Sequence, residues 1–380
     1  MDMKELIRKT FVERFGAPEG QLFASAGRIN LIGEHTDYNE GFVFPGAIDK
    51  VIMAEIRPNG SHSVRALSID IDEYCEFGLN EEDVPSQSWA RYIFGVCREI
   101  MKHGGKVEGF DTVFAGNVPL GAGLSSSAAL ESCFAFALNE LFNAGSISKF
   151  ELARIGQSTE HNYCGVNCGI MDQFASVFGK AGHLIRLDCR DLSYEYFPFS
   201  PEHHSLVLVD SRVMHELKDS PYNKRRESCE RVARALGVPS LRDVSLAELN
   251  AARVTISDED YRRAKYVVEE RDRVLCVCSA LGRGDYEEVG RMMYATHEGL
   301  SKDYEVSCEE LDFLVDVARK TGVTGARIMG GGFGGCTINL VENSIHDRFI
   351  AEACKQFAEK YGHEPKIYDV VISDGARRVE

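Results

Sequence analysis

Pro119-Leu120-Gly121-Ala122-Gly123-Leu124-Ser125-Ser126-Ser127-Ala128-Ala129 is the stretch on which the reading of the whole chain turns. Its small residues let backbone amides approach a ligand closely. Its three hydroxyls stand where a long apolar helix, Ser125 to about Phe142, begins. The head of a helix presents unpaired N–H groups and the positive end of its dipole, which together bind phosphate. A serine-rich N-cap after a turn would use part of the same pattern. Two glycines, three serines and no proline or charge over residues 121–127 exceed what capping requires, so the loop reads as a phosphate cradle. It is not a Walker A loop, whose lysine is missing, and no H-R-D or D-F-G element accompanies it.

Working outward, Phe110 to Ala115 reads as a strand that feeds the loop. Trp89 to Lys102 reads as a helix, with Tyr92, Ile93, Val96 and Ile100 at helical spacing. Residues 4–15 form a short amphipathic helix on Leu6, Ile7, Phe11 and Phe15, and Leu22 to Arg57 is β-like around a polar interruption. After the loop, a helix runs from Lys149 to about Cys164. The composition shifts at Phe197-Pro198-Phe199-Ser200-Pro201, which suggests domains at 1–197 and 198–380. Beyond that seam come a strand at Leu206 to Asp210, charged helices from Lys224 to Tyr304, and a helix from Glu309 to Lys320. Strands at Ala326 to Met329 and Cys336 to Val341 flank a glycine run, and Asp347 to Tyr361 closes the series as a helix. Regular βαβ alternation is absent, so the expected class is α+β.

The chain has 380 residues, 44% hydrophobic and 27% charged, a globular balance. That length supports two domains and a core needing no disulfide or metal staple. Its 43 basic and 59 acidic residues leave a formal charge of −16, which repels nucleic-acid phosphates and anionic lipid. Neither nucleic acid nor a membrane surface is therefore an expected partner, and any anionic ligand has to be met by local donors. Twelve cysteines are scattered without a CxxC…CxxC zinc pattern. Free thiols suit a reducing compartment. Met1-Asp2-Met3-Lys4-Glu5 lacks the apolar core of a secretory signal. A cytoplasmic protein is expected.

Three further clusters carry polar chemistry. Gly330-Gly331-Gly332-Phe333-Gly334-Gly335 formally contains G-x-G-x-x-G, but β-like Cys336 to Val341 follows, where a dinucleotide fold needs a helix. The run either supports the phosphate cradle from the second domain or makes a tight turn. Gly27-Arg28-Ile29-Asn30-Leu31-Ile32-Gly33-Glu34-His35-Thr36-Asp37-Tyr38-Asn39 places Arg28 among apolar neighbours, a costly position unless a carboxylate or phosphate meets it. Glu34, His35 and Asp37 suit a polyhydroxyl ligand such as a sugar, and equally an ordinary charged turn; nothing pairs with His35 at metal-ligand spacing. In the third cluster, Glu160 to Gln173, Asp172 lies between Ile170, Met171 and Phe174 and is exposed, helix-capping or functional.

In this order the clusters resemble the GHMP small-molecule kinases, and among them the galactokinase family. Gly27 to Asn39 resembles that family's signature, Pro119 to Ala129 its phosphate loop, and Gly330 to Cys336 its third, glycine-rich motif. Cys168 to Gln173, Ser220 to Arg226 and Tyr304 to Cys308 match as well, so the resemblance spans nearly the whole chain. It implies an N-terminal ribosomal-protein-S5-like domain, a C-terminal ferredoxin-like domain, and an active site in the cleft between them. It further implies phosphoryl transfer from ATP, with Mg²⁺, to the anomeric hydroxyl of galactose, by a chain expected to be a monomer.

Carried over by position, the resemblance implies that Glu34, His35 and Asp37 hold sugar hydroxyls, with Gly169, Asp172 and Tyr222 completing the pocket. Gly121, Ala122, Gly123, Leu124, Ser125, Ser126 and Ser127 would wrap the ATP phosphates, and Ser127 and Glu160 would hold Mg²⁺ directly or through water. Trp89, the single tryptophan, and Tyr92 would contact the base or else belong to the helix core. Asp172 would be the catalytic base, with Arg28 orienting it and countering phosphate charge. A cation beside an aspartate weakens it as a base, but a loose transition state calls for proton transfer only late, so position matters most. Met214 departs from the family, many of whose members carry a basic residue before the histidine that is His215 here; Arg212 or Lys218 would substitute. A sibling kinase acting on N-acetylgalactosamine or a similar sugar shares the pattern, as does a non-catalytic sugar- and ATP-binding regulator. Intact Ser125 to Ala129 and Asp172 argue against the regulator.

Overall fold

The computed structural model describes residues 2–119, 121–199, 201–213 and 221–380, without the side chain of Pro221. Met1, Leu120, Ser200, Met214, His215, Lys218 and Ser220, named above, lie outside the described residues. The first half runs α1 (Met3–Phe15), β1 (Gln21–Asn30), β2 (Phe42–Val43), β3 (Pro45–Pro58), β4 (Ser63–Ser68), β5 (Glu73–Gly78), α2 (Ser88–Lys102) and β6 (Phe110–Gly116). It continues through α3 (Ser126–Asn143), α4 (Lys149–Thr159), α5 (Met171–Phe178), β7 (His183–Asp188) and β8 (Tyr194–Pro198). The second half holds β9 (His204–Asp210), α6 (Pro221–Leu236), α7 (Leu246–Ala251), α8 (Asp258–Gly282), α9 (Tyr286–Glu298) and α10 (Glu309–Thr321). It ends with β10 (Gly325–Ile328), β11 (Cys336–Glu342), α11 (His346–Tyr361), β12 (Lys366–Val370) and β13 (Arg377–Val379).

A six-stranded mixed sheet in the order β13-β1-β3-β6-β4-β5 organises the first part. Both of its faces are covered, which explains the near-continuous apolar run of β6. Phe110 and Phe114 face the helices α2 and α3, while the alternating Val113 and Ala115 face α1. An antiparallel sheet, β10-β11-β9-β12, organises the second part. Val207 and Val209 of β9 pack there against Leu314 of α10 and Phe349 and Phe357 of α11. A small sheet β2-β7-β8 completes the architecture, and β13 returns the chain's end to β1 of the first sheet. The mixture of helix and sheet is the expected α+β class. No helix among the described residues is long and apolar enough to cross a membrane.

Some expected elements differ in extent. The helix from Lys149 stops at Thr159, and a single wide π turn, Glu160–Cys164, follows it. Glu160, the first residue of that turn, meets the Ser127 hydroxyl. Charge masked the breaks in the 224–304 stretch, which divides into α6, α7, α8 and α9. Strands β4 and β5 went unread because they are short, half-buried and polar on alternate positions.

One local feature of β1 positions the site. Its pairing with β3 shifts between Ala26, opposite Val51, and Arg28, opposite Ala47, so that residues 48–50 of β3 bulge opposite the single residue Gly27. A side chain at Gly27 would come within 2.8 Å of the Leu124 carbonyl and 3.1 Å of Val118, so only glycine lets the strand run beneath the phosphate loop. The Arg28 amide then donates to the Leu124 carbonyl at 3.1 Å. Gly27→Ala is expected to force strand and loop apart and to cost about 1–3 kcal/mol of stability in urea unfolding; an unchanged midpoint would show that the two are not in contact.

Candidate active site

Arg28, in β1, is almost fully buried, and its guanidinium meets Asp172 in a two-pronged pair, Nε to Oδ1 at 2.8 Å and Nη2 to Oδ2 at 2.9 Å. Its remaining terminal nitrogen donates to the Gly123 carbonyl at 2.5 Å. The Ser125 hydroxyl donates to Asp172 Oδ2. Asp172 lies in the first turn of α5, but the capping position is Ile170 and no side chain caps that helix, so the capping reading of Asp172 falls away. Ser125 precedes α3 with a φ of +56°, and its side chain does not cap α3 either. The head of α3 therefore keeps its amides open where the sequence placed a phosphate cradle.

The first turn of α3 brings in Ser127, whose hydroxyl donates to Glu160 Oε1 at 2.8 Å. Glu160 is buried, and its carboxyl is raised by burial and by the Asp172 charge, against the lowering effect of the Ser127 bond. Glu131, one turn further along α3, is fully buried and raised well above the usual carboxylate range, first by burial and then by Glu160. It accepts from Gln173 Nε2 at 3.2 Å. Tyr92 packs beside Cys164, Glu160 and Glu131, and burial raises its hydroxyl. Trp89, three residues earlier on α2, donates its Nε1 to Glu73 at 2.7 Å and packs its ring on Phe114 at 5.4 Å.

The loop after β1 supplies the other wall. Glu34 is buried and its Oε1 accepts from Arg327 Nη1 at 3.1 Å and from the Gly330 amide at 2.9 Å. His35 is enclosed by the rings of Tyr38, Tyr222 and Tyr304, with centroids 5.9, 5.3 and 4.9 Å away. Burial lowers its imidazole to about 3, so it is neutral at ordinary pH. Its Nδ1 bonds the Tyr38 hydroxyl at 2.8 Å, and that hydroxyl bonds Tyr304 at 2.7 Å. Asp37 keeps some contact with solvent, yet desolvation and then the Asp172 charge raise its carboxyl to about 6. Gly169 lies against Asp37 so closely that any side chain there would overlap the carboxylate. Burial, then the Asp37 charge, raises the Tyr222 hydroxyl.

Hydrogen bonds thus join Arg28, Asp172 and Ser125, and separately Ser127 and Glu160, whose carboxyl feels the Asp172 charge; Asp37 and Tyr222 feel the same charge, and Gly169 lies against Asp37. Several contributors escaped the sequence reading. Arg327, Tyr266 and Glu270 hold the 30–35 loop: Tyr266 donates to the Glu34 carbonyl at 3.0 Å, and Glu270 accepts from the Gly33 amide at 2.8 Å. Only Glu131 left a signal, an acid four residues after Ser127 inside an apolar helix.

Comparison with known proteins agrees with this geometry. Residues 9–58 match the family model described as the galactokinase galactose-binding signature, residues 91–180 the GHMP kinases N terminal domain, and residues 278–360 the GHMP kinases C terminal model. The chain is 42% identical to the galactokinase of Thermotoga petrophila over 354 residues, 93% of this chain and 98% of that one. It is 42% identical to the human galactokinase over 380 residues, 97% of this chain and 95% of that one. The crystal structure of Lactococcus lactis galactokinase complexed with galactose superposes with a TM-score of 0.95 at 34% identity, each chain covered in full. A mevalonate kinase from Methanococcus jannaschii shares the fold alone, at 17% identity and a TM-score of 0.68 over 93% of this chain and 99% of that one. With an arginine–aspartate pair at the head of an uncapped helix, and relatives of this identity over nearly its whole length, the chain belongs to the galactokinase family of GHMP kinases.

Proposed function

We propose that this chain transfers the γ-phosphoryl group of ATP to the anomeric C1 hydroxyl of α-D-galactose, releasing galactose 1-phosphate and ADP. The observation that carries this reading is the Arg28–Asp172–Ser125 group, which puts a carboxylate at the open end of α3. Loop amides 121–127 cradle the phosphates, Glu34, His35, Asp37, Gly169 and Tyr222 hold the sugar, and Trp89 and Tyr92 face the base. The glycine-rich 121–127 loop and the 27–39 segment that carries the sugar residues lie on residues 1–197, with 198–380 as the second domain. All twelve cysteines are unpaired, which supports a reducing, cytoplasmic setting.

Arg28 fixes both oxygens of Asp172, so the carboxylate has one orientation. Ser125 occupies part of Oδ2, and an incoming sugar hydroxyl displaces it to reach the acceptor. Held there, the hydroxyl lies in line with a phosphate at the helix head, and Asp172 accepts its proton late. Positioning and electrostatics supply most of phosphoryl-transfer catalysis. Asp172→Asn keeps the shape and an acceptor for Arg28 but removes the charge. Turnover is expected to fall by ~10²-fold or more while the affinity for a non-hydrolysable ATP analogue stays nearly unchanged; turnover within a few-fold of the parent would reject the role.

The donor set also fits Mg²⁺. Both Glu160 and Glu131 are buried acids raised first by burial, Glu160 also by the Asp172 charge and Glu131 by the Glu160 charge, a crowding of carboxyls that a cation would relieve. Among the described residues no group of three or more His, Cys, Asp or Glu is arranged to hold a metal alone, and Mg²⁺ typically takes one or two carboxylates plus substrate phosphates and water. Ser127 and Glu160 would hold it, and when bound it would neutralise charge on the transferring phosphates. Chelation is expected to stop ADP release in a coupled assay. Ser127→Ala should raise the Mg²⁺ concentration for half-maximal rate on the order of 10-fold or more; an unshifted requirement would remove Ser127 from the site.

Asp37 gives the pH dependence. Because its carboxyl titrates at about 6, it is an acceptor above that pH and loses this form below it. Galactose kcat/KM should therefore fall as the pH drops through that value, and Asp37→Asn should flatten this acid limb and raise the galactose KM more than the ATP KM. An acid limb surviving in Asp37→Asn would assign it to another group.

A further inference from the structure

Arg327, in β10, has no solvent exposure at all, yet it carries a charge. Its guanidinium donates to four acceptors: the carbonyls of Leu31 at 2.9 Å, Ile328 at 2.6 Å and Asn30, and the Glu34 carboxylate at 3.1 Å. The same Glu34 oxygen accepts from the Gly330 amide at 2.9 Å. One carboxylate oxygen is therefore shared between the sugar-side loop and the first residue of the glycine run 330–335. That run abuts the phosphate loop backbone to backbone. A side chain on Gly330 would lie 3.5 Å from the Gly123 carbonyl, and one on Gly123 would lie 3.3 Å from the Met329 carbonyl. The Gly123 carbonyl in turn accepts from Arg28, which holds Asp172.

We propose that Arg327 is a positioning residue that couples the two substrate sites, by locking Glu34 to the glycine run and, through Gly330 and Gly123, to the phosphate loop. The chain of contacts is short: Arg327, Glu34 and Gly330 are buried, Gly123 is half-buried, and the side chains of Arg327 and Glu34 are its only mobile members. A sugar that engages Glu34 settles the carboxylate against Gly330 and thereby the surface that Gly123 rests on. A nucleotide that orders the 121–127 loop settles Gly330 in the same way. Linkage requires the effect to be reciprocal. The inference rests on the proposed galactose and ATP sites.

Calorimetric titration of the full chain tests it. Galactose is titrated with and without a non-hydrolysable ATP analogue plus Mg²⁺, and the analogue with and without galactose. In the parent chain each ligand is expected to tighten the other by the same factor, ~5-fold or more. In Arg327→Lys, which keeps the charge but loses the planar fork, that factor should fall close to one, while each ligand alone still binds. A global loss of packing would lower the melting temperature without selectively erasing the ratio, so thermal melts accompany each titration. Should Arg327→Lys fail to fold, Gly330→Ala decides: Gly330 has a φ of +81°, which strains any side chain, and its neighbours leave room for a methyl group. The same loss of the factor is expected there. A parent that phosphorylates galactose but shows a factor of one would overturn the coupling, as would an undiminished factor in a folded variant. A parent that neither binds nor phosphorylates galactose would instead overturn the functional reading beneath it.

Discussion

A guanidinium removed from water must have its charge and its N–H groups met, and Arg28 meets that demand by tying together segments distant in the chain. Asp172 lies 144 residues away and the Gly123 carbonyl 95 residues away. The rest of the site follows from this pairing. Because Asp172 is drawn to Arg28, the Ser125 hydroxyl turns to the carboxylate and not to its own helix. Because Ser125 does not cap α3, the amides at its head stay available. An ion pair and an open anion site are thus two consequences of one buried charge.

The acids around that pair have a second consequence. Asp37, Asp172, Glu160 and Glu131 crowd one region, and burial together with their mutual repulsion raises Asp37, Glu160 and Glu131. In a chain with a formal charge of −16, such a cleft does not attract a polyphosphate by its overall field. The proposed ATP site relies on local donors instead, the Arg28 fork and the head of α3, together with the proposed Mg²⁺. Because that attraction is short-ranged, a polyphosphate without its cation meets the repulsion of these acids.

Beside the shared apolar core, the two halves also meet backbone to backbone. Glycines at 27, 123 and 330 bring strand, phosphate loop and glycine run into direct apposition. The fold that achieves this is shared with proteins of other names, such as the mevalonate kinase at 17% identity. Distinctions between such proteins reside in what is grafted on it, and here that is the 27–39 segment. Tyr266, Glu270 and Arg327 from the second half of the chain hold its backbone.

Local pattern sufficed for much of this. The amphipathic spacing of α2, the glycine-and-serine run before α3, the out-of-place Arg28 and the clustered Glu34, His35 and Asp37 are all written within a few residues of one another, so periodicity and cost of burial expose them. Strands β4 and β5 escaped because half-exposed strands carry weak periodicity. The roles of Arg327, Glu270, Tyr266 and Tyr304 escaped for a different reason. Each acts on the 30–38 loop from more than two hundred residues away, and nothing near them in the chain distinguishes a buried ligand of that loop from an ordinary helix or strand residue. Asp172 shows the division most clearly. Its apolar flanks marked it as unusual, but whether it would cap α5, face water or pair with a cation depended on where β1 placed Arg28, 144 residues away, and only long-range packing sets that distance.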